Sequence, residues 1–379
     1  MATSPRPKRL AIILLGFALA VVTVLYVVRI NGRHELILLG AALPLTGQYS
    51  QYGIVPRKAI DLAVEQQMAA GFPYHVEVQY EDTQLNPALA LTAIRKLIDI
   101  DKVPVVFGAA GSNETEVIGP IAQKNGVVLI SPSSTAASLS SIGDYFFRTI
   151  PTDLYEGAYM ARFIRQRGVA RVGIFAVNDT GTKSLGDAFR DEFLRSGGSV
   201  TNYVLAPKDA SDLRTQITAL RSSSPQAVYF VGYAAETGVF LRQQYELSLH
   251  LPLYSAHPAE APEVRQIAGS AAEGLIFSTP SHGTEIEARR QFAAAYQSRY
   301  GEEPAEFAPE AYDAAMLALN AMREVGPHAS AIRDYLHRVH RYKGASGEIT
   351  FSAMGDVEKP ISLMTIRNGQ VMPIETDAR

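Results

Sequence analysis

The chain has 379 residues, 47% of them apolar and 19% charged, with a formal net charge of -3; that length exceeds what one hydrophobic core usually serves, and the composition excludes long disorder. No run of one sign stands out to attract a polyanion, which removes DNA and RNA as partners. The absence of cysteine excludes disulfides, thiolate catalysis, zinc-thiolate sites and a lipid-modified cysteine at the N-terminus.

Taken in chain order, the first element is a charge-free run over residues 10–28, preceded by Arg6, Lys8 and Arg9. As a helix it spans roughly 30 Å, the thickness of a bilayer core. Segment 1–33 is therefore expected to be a cytoplasmic stub followed by a single transmembrane anchor. A cleaved export signal would have a shorter apolar stretch and small residues just beyond it, whereas Ala18-Leu19-Ala20 lies inside the run. An uncleaved anchor is thus favoured, with a cleaved signal as the alternative. The leading basic residues favour export of the remainder to the periplasm or cell surface, and Arg29 and Arg33 weaken that bias.

From residue 36 onward, short apolar runs alternate with longer amphipathic segments, the pattern of a parallel sheet with crossover helices. Strand 36–43 is followed by helix 55–69, strand 75–80 and a helix after Asn86-Pro87, where proline suits the first helical position. Runs 103–107 and 127–130 are continuously apolar, as in strands covered on both faces. The pattern restarts near Pro151 with helix 155–166, strand 172–177, helix 185–196, strand 199–205, helix 212–222, strand 227–231 and helix 236–247. A strand near Leu253 and a run at 274–279 lead to helices near 285–300 and 308–325. Stretches 347–351 and 361–367 then precede a turn at Asn368-Gly369. The fold class is α/β, with two Rossmann-like lobes. No low-complexity linker separates the lobes, which points to several chain crossings between them.

Leu43-Pro44-Leu45-Thr46-Gly47 followed by Ser50-Gln51-Tyr52-Gly53 resembles the opening of type I periplasmic binding proteins of the leucine/isoleucine/valine-binding family. Tyr80-Glu81-Asp82 before Asn86-Pro87-Ala88, Val106-Phe107-Gly108 before Ser112-Asn113, and Ile130-Ser131-Pro132-Ser133-Ser134-Thr135 are similar to that family's segments, in its order. So are Asp144-Tyr145-Phe146-Phe147-Arg148-Thr149, Gly232-Tyr233-Ala234-Ala235-Glu236, Ala311-Tyr312-Asp313-Ala314 and Gly344-Ala345-Ser346-Gly347. The resemblance covers about residues 36–374. It implies lobe one over 36–150 plus 279–344, lobe two over 151–278 plus 345–379, a multi-crossing hinge, and a ligand trapped between the lobes when the hinge closes.

Hydroxyls and backbone N–H groups that follow strands can cradle a small anion. Ser112 and Thr135 match positions that grip a ligand carboxylate in the resembled family, and the Ser133 carbonyl faces its ammonium; the plainer reading is that Ser133-Ser134-Thr135 caps a turn. Asn113 is a further candidate beside Ser112. Tyr52 and Tyr233 match aromatic walls, one from each lobe, and Glu236 either reaches the ligand or simply opens the next helix as a first-turn acid. The sequence departs from the family at two positions. His257 stands where amino-acid binders carry a glutamate for the ammonium, and Gly181 where many carry tyrosine. Glu260 would restore the acid if the loop shifted; otherwise a carboxylate without an ammonium, or an amide, becomes the better ligand.

The sequence has no dinucleotide fingerprint, P-loop, zinc-protease helix or nucleophile elbow, and His337 and His340 lie among arginines. No cofactor, metal or enzymatic activity is expected. The resemblance implies capture of a small polar, carboxylate-bearing solute for an ABC permease. The alternative is an anchored sensor that uses the same clamp to signal to a membrane partner.

Overall fold

In β1 (Leu36–Leu43) successive side chains point to opposite faces, so Leu39, Ala41 and Leu43 join one core while Ala42 joins another. β1 lies between β2 (His75–Asp82) and β3 (Val105–Gly108) in a parallel five-stranded sheet with β4 (Val128–Ser131) and β5 (Phe146–Arg148), ordered β2-β1-β3-β4-β5. β3 and β4 are buried throughout because helices cover both faces. α1 (Gln51–Ala69) lies on one side, and α2 (Pro87–Asp99) and α3 (Ser112–Asn125) on the other. Asn86 caps α2 as its position before Pro87 predicts, its Oδ1 accepting from Ala88 N at 2.8 Å. The computed structural model describes residues 35–281 and 287–374.

The second sheet repeats the plan. α4 (Asp153–Gln166) leads into β6 (Arg171–Val177), followed by α5 (Thr180–Arg195), β7 (Ser199–Ala206), α6 (Arg214–Ser222), β8 (Ala227–Val231), α7 (Ala234–Glu246), β9 (Leu253–Ser255), α8 (Pro262–Ala268) and β10 (Ile276–Pro280). These five strands are parallel, and β13 (Ile361–Arg367) and β14 (Gln370–Pro373) extend the sheet antiparallel at the β10 edge. Asn368 and Gly369 both have positive φ and form the two-residue turn between β13 and β14.

Between β10 and β13 the chain returns to the first lobe. It forms α9 (Glu287–Tyr300), α10 (Ala308–Val325), α11 (Ala329–Leu336) and a small antiparallel pair, β11 (Tyr342–Gly344) with β12 (Gly347–Ile349). α10 is buried along most of its length, and its alanines let it lie close against the sheet. The lobe boundary falls later than the sequence suggested. Ala345, Ile349, Phe351 and Val357 belong to the core that contains β1, so only residues from Ile361 onward join the second sheet, and Thr279 and Pro280 still belong to β10. Asp313 draws this segment in by accepting from Ala345 N at 2.8 Å and Ser346 N at 2.7 Å.

Two crossing segments run side by side, with Arg148 N donating to Gly355 O at 3.0 Å and a parallel bridge between Pro151 and Val357. Gly355 has φ +74°, and a Cβ there would stand 2.0 Å from Phe146 O, so only glycine fits. The expected anchor at residues 10–28 lies outside the described residues. Among the described residues no helix is long and apolar enough to cross a membrane.

Candidate functional site

The strand-to-helix loops of the first sheet assemble a polar wall. Ser131 at the end of β4 donates to Ala109 O at 2.8 Å and accepts from Ser134 N at 3.0 Å, and Ser133 Oγ and Ser134 Oγ donate to the carbonyls of Ala110 and Ala109, each at 3.0 Å. The Ser133 and Ser134 hydroxyls are thus spent on tying this loop to the loop after β3, and not on capping the following turn. Ser112 Oγ accepts from Ala136 N at 3.1 Å and donates to no acceptor among the described residues. Arg148, fully buried, donates to Ser134 O and Ala136 O on either side of Thr135, and to Asp356 Oδ1 at 2.6 Å.

Across the cleft, α4 begins with two acids on its buried stripe. Glu156 accepts from Ser278 Oγ at 2.6 Å and lies 2.9 Å from His257 Nδ1. Glu306 of the first lobe stands 3.9 Å from His257 Nε2. Burial would drive the His257 proton off, but Glu156, then Glu306 and Asp153, outweigh it and raise its pKa to about 9. The ring is therefore an imidazolium at neutral pH. Asp153 is fully buried, which raises its pKa to about 7 against the nearby Ser184 and Thr135 hydroxyls. Burial likewise raises Glu306 to about 8.

One cavity of about 60 Å³ is lined by Tyr52, Ser112, Ser133, Thr135, Tyr233 and His257, the six sequence candidates that the fold brings together. Asp153, Leu85 and Phe307 are among the other residues that line it. Tyr52 and Tyr233 meet across the lobes with ring centroids 5.7 Å apart, and Tyr52 Oη accepts from Ala234 N at 3.0 Å. Phe307 stands edge-on to His257 at 5.6 Å. The lobes are closed: Tyr49 Oη donates to Glu236 Oε1 at 2.7 Å, Lys208 Nζ to Leu85 O at 3.2 Å, and Ala137 N to Ser184 Oγ at 3.1 Å. A Cβ at Gly181 would lie 3.1 Å from Ser112 Oγ, so the glycine permits this close approach.

Two candidates fall elsewhere. Asn113, one step further round α3 than Ser112, lines an outer groove and accepts from Glu114 N. Glu236 is buried in the first turn of α7, where it receives Tyr49 instead of facing the cavity. Glu260 lines a neighbouring chamber and accepts from Thr279 Oγ1 at 3.2 Å, so it does not replace the missing acid in the cavity. Sequence reasoning missed Asp153, Glu156, Glu306 and Phe307. The first two left a signal, because Asp153 and Glu156 share the face of Gly157, Met160 and Ile164.

The model of the periplasmic binding protein family matches residues 37–370. The chain is 24% identical to a Leu/Ile/Val-binding protein homolog of Brucella melitensis, over 89% of this chain and 94% of that one. A leucine-binding protein structure from Thermotoga maritima superposes with TM-score 0.84 at 29% identity, covering 89% of this chain and 98% of that one. A branched-chain amino acid transporter substrate-binding protein from Streptococcus pneumoniae, solved with isoleucine, gives TM-score 0.82 at 26% identity, with coverages of 89% and 98%. With two parallel-sheet lobes closed on a polar cavity and a family match along nearly the whole described chain, this protein belongs to the periplasmic binding proteins, a family of solute binders and not of enzymes.

Proposed function

We propose that this protein captures a small carboxylate-bearing solute between its lobes, outside the cytoplasm, and presents it to an ABC-type importer. The observation that carries this reading is the cavity in which Ser112 and Thr135 face the protonated His257. Hydroxyl donors and a fixed cation in a dry site stabilise a carboxylate far better than water-exposed ones do. The names of the relatives add support, since the Brucella protein is a Leu/Ile/Val-binding homolog and the Streptococcus protein holds isoleucine. The charge-free run at 10–28 would tether the binder beside its permease.

A second reading, an α-amino acid, rests on Asp153, whose carboxylate oxygens make no hydrogen bond of normal length among the described residues. Asp153 would take the ammonium in place of the absent glutamate. Calorimetric titration of residues 34–379 with leucine and with its 2-oxo acid separates the two. An ammonium ligand would bind more tightly as pH rises through about 7, because Asp153 must ionise; the oxo acid would show no such gain. In either case the double substitution Ser112→Ala with Thr135→Ala is expected to weaken binding at least about tenfold. Unchanged affinity in that variant would place the ligand elsewhere.

A further inference from the structure

At about 60 Å³ the central cavity is far below the roughly 300–1,000 Å³ of ordinary small-molecule sites. On the side of Tyr49 it is shut by the Tyr49–Glu236 and Lys208–Leu85 contacts. It shares Tyr52, His257 and Phe307 with a second chamber of about 290 Å³. That chamber has apolar walls from Val55, Ile150, Pro262, Pro280, Pro304 and Pro309. Its rim carries Arg289, whose Nη1 is buried with no hydrogen-bond partner among the described residues. Glu310, Glu260 and Glu303 stand around this guanidinium and balance its charge, so a second carboxylate would meet acids there. A neutral oxygen would not. It would satisfy the orphan N–H.

Building on the carboxylate reading above, we infer that the ligand is an elongated monocarboxylate: its head sits against Ser112, Thr135 and His257, and an apolar body passes Phe307 into the second chamber, where a terminal neutral oxygen accepts from Arg289. Arg289 is then a specificity-determining residue and Phe307 the neck between the chambers. The apolar part of the wall, built of proline and short aliphatic side chains, forms a rigid slot suited to a flat or unbranched body.

The test is calorimetry on the wild type, Arg289→Met and Val55→Trp, with isovalerate, phenylpropionate and para-methoxyphenylpropionate as probes. The wild type should bind both phenyl acids more tightly than isovalerate, and the methoxy acid tightest. Arg289→Met should lose about tenfold for the methoxy acid and stay within about twofold for phenylpropionate. Val55→Trp, which fills the chamber from a half-exposed helix position, should weaken both phenyl acids at least about tenfold and leave isovalerate unchanged. Phenyl acids that bind no better than isovalerate, or that ignore both substitutions, overturn the inference and leave the carboxylate reading standing. Failure of all three probes on the wild type overturns both.

Discussion

Replacing His257 by glutamine keeps a side chain of similar reach and removes the cation between Glu156 and Glu306. In the folded protein the imidazolium is held to about 9 by Glu156 at 2.9 Å, against 6.5 for the free group. A rise of that size corresponds to about 3 kcal/mol of stability, an order-of-magnitude figure for a buried pair. Because the folded state binds the proton more tightly than the unfolded chain, this stability is fully present below pH 6.5 and is lost as pH rises through about 9. In the variant Glu156 keeps Ser278 Oγ, the backbone N–H at position 257 and at best a neutral amide N–H as donors, so the charge part of the contact, present on the acid side, is lost. Urea unfolding followed by circular dichroism, at pH 6 and again above pH 9, measures both limits. The expected destabilisation is about 3 kcal/mol at the lower pH, shrinking to under about 0.5 kcal/mol at the higher one. A loss that is equal at both pH values would show that His257 acts through packing against Phe307 and carries no charge.

Asp153→Asn mimics the protonated acid, so it should remove Asp153's share of the fall in stability as pH rises from about 4 through 7, leave the share of Glu306, and exceed the wild type by a few kcal/mol at pH 8, read by thermal melts. Parallel pH profiles for the two proteins would contradict this. Gly181→Tyr places a ring where a Cβ already meets Ser112 Oγ at 3.1 Å, so the ligand-free protein should open and its radius of gyration in X-ray scattering should increase; an unchanged profile counts against the cleft geometry. Gly355→Ala forces a Cβ to 2.0 Å from Phe146 O at φ +74° and is expected to destabilise by about 3 kcal/mol in denaturant titration. A near-neutral result would mean that the crossing segment can move away.

Much of the architecture was legible in the chain. Strand alternation in β1, the continuous apolar runs of β3 and β4, the Asn86-Pro87 helix start and the Asn368-Gly369 turn are consequences of local periodicity and turn chemistry, and they appear where residue order puts them. Ser112, Ser133 and Thr135 were singled out by the resemblance to the family's loops, and the fold brings them to one cavity because loops after parallel strands lie at the sheet's carboxyl end. What the sequence by itself could not decide was which charges meet. His257 and Glu156 are 101 positions apart, and only the folding of α4 against β9 and β10 puts them in contact. Their coupling exists because both are removed from water, and burial is a property of the whole assembly, not of any window along the chain. The same holds for Asn113 and Glu236, turned away by the rotation of their helices, and for the lobe boundary, drawn past Ala345 by Asp313. Local pattern determined the elements and their order; tertiary packing decided the electrostatics of the cavity, because desolvation and long-range pairing are set only once the lobes have closed on each other.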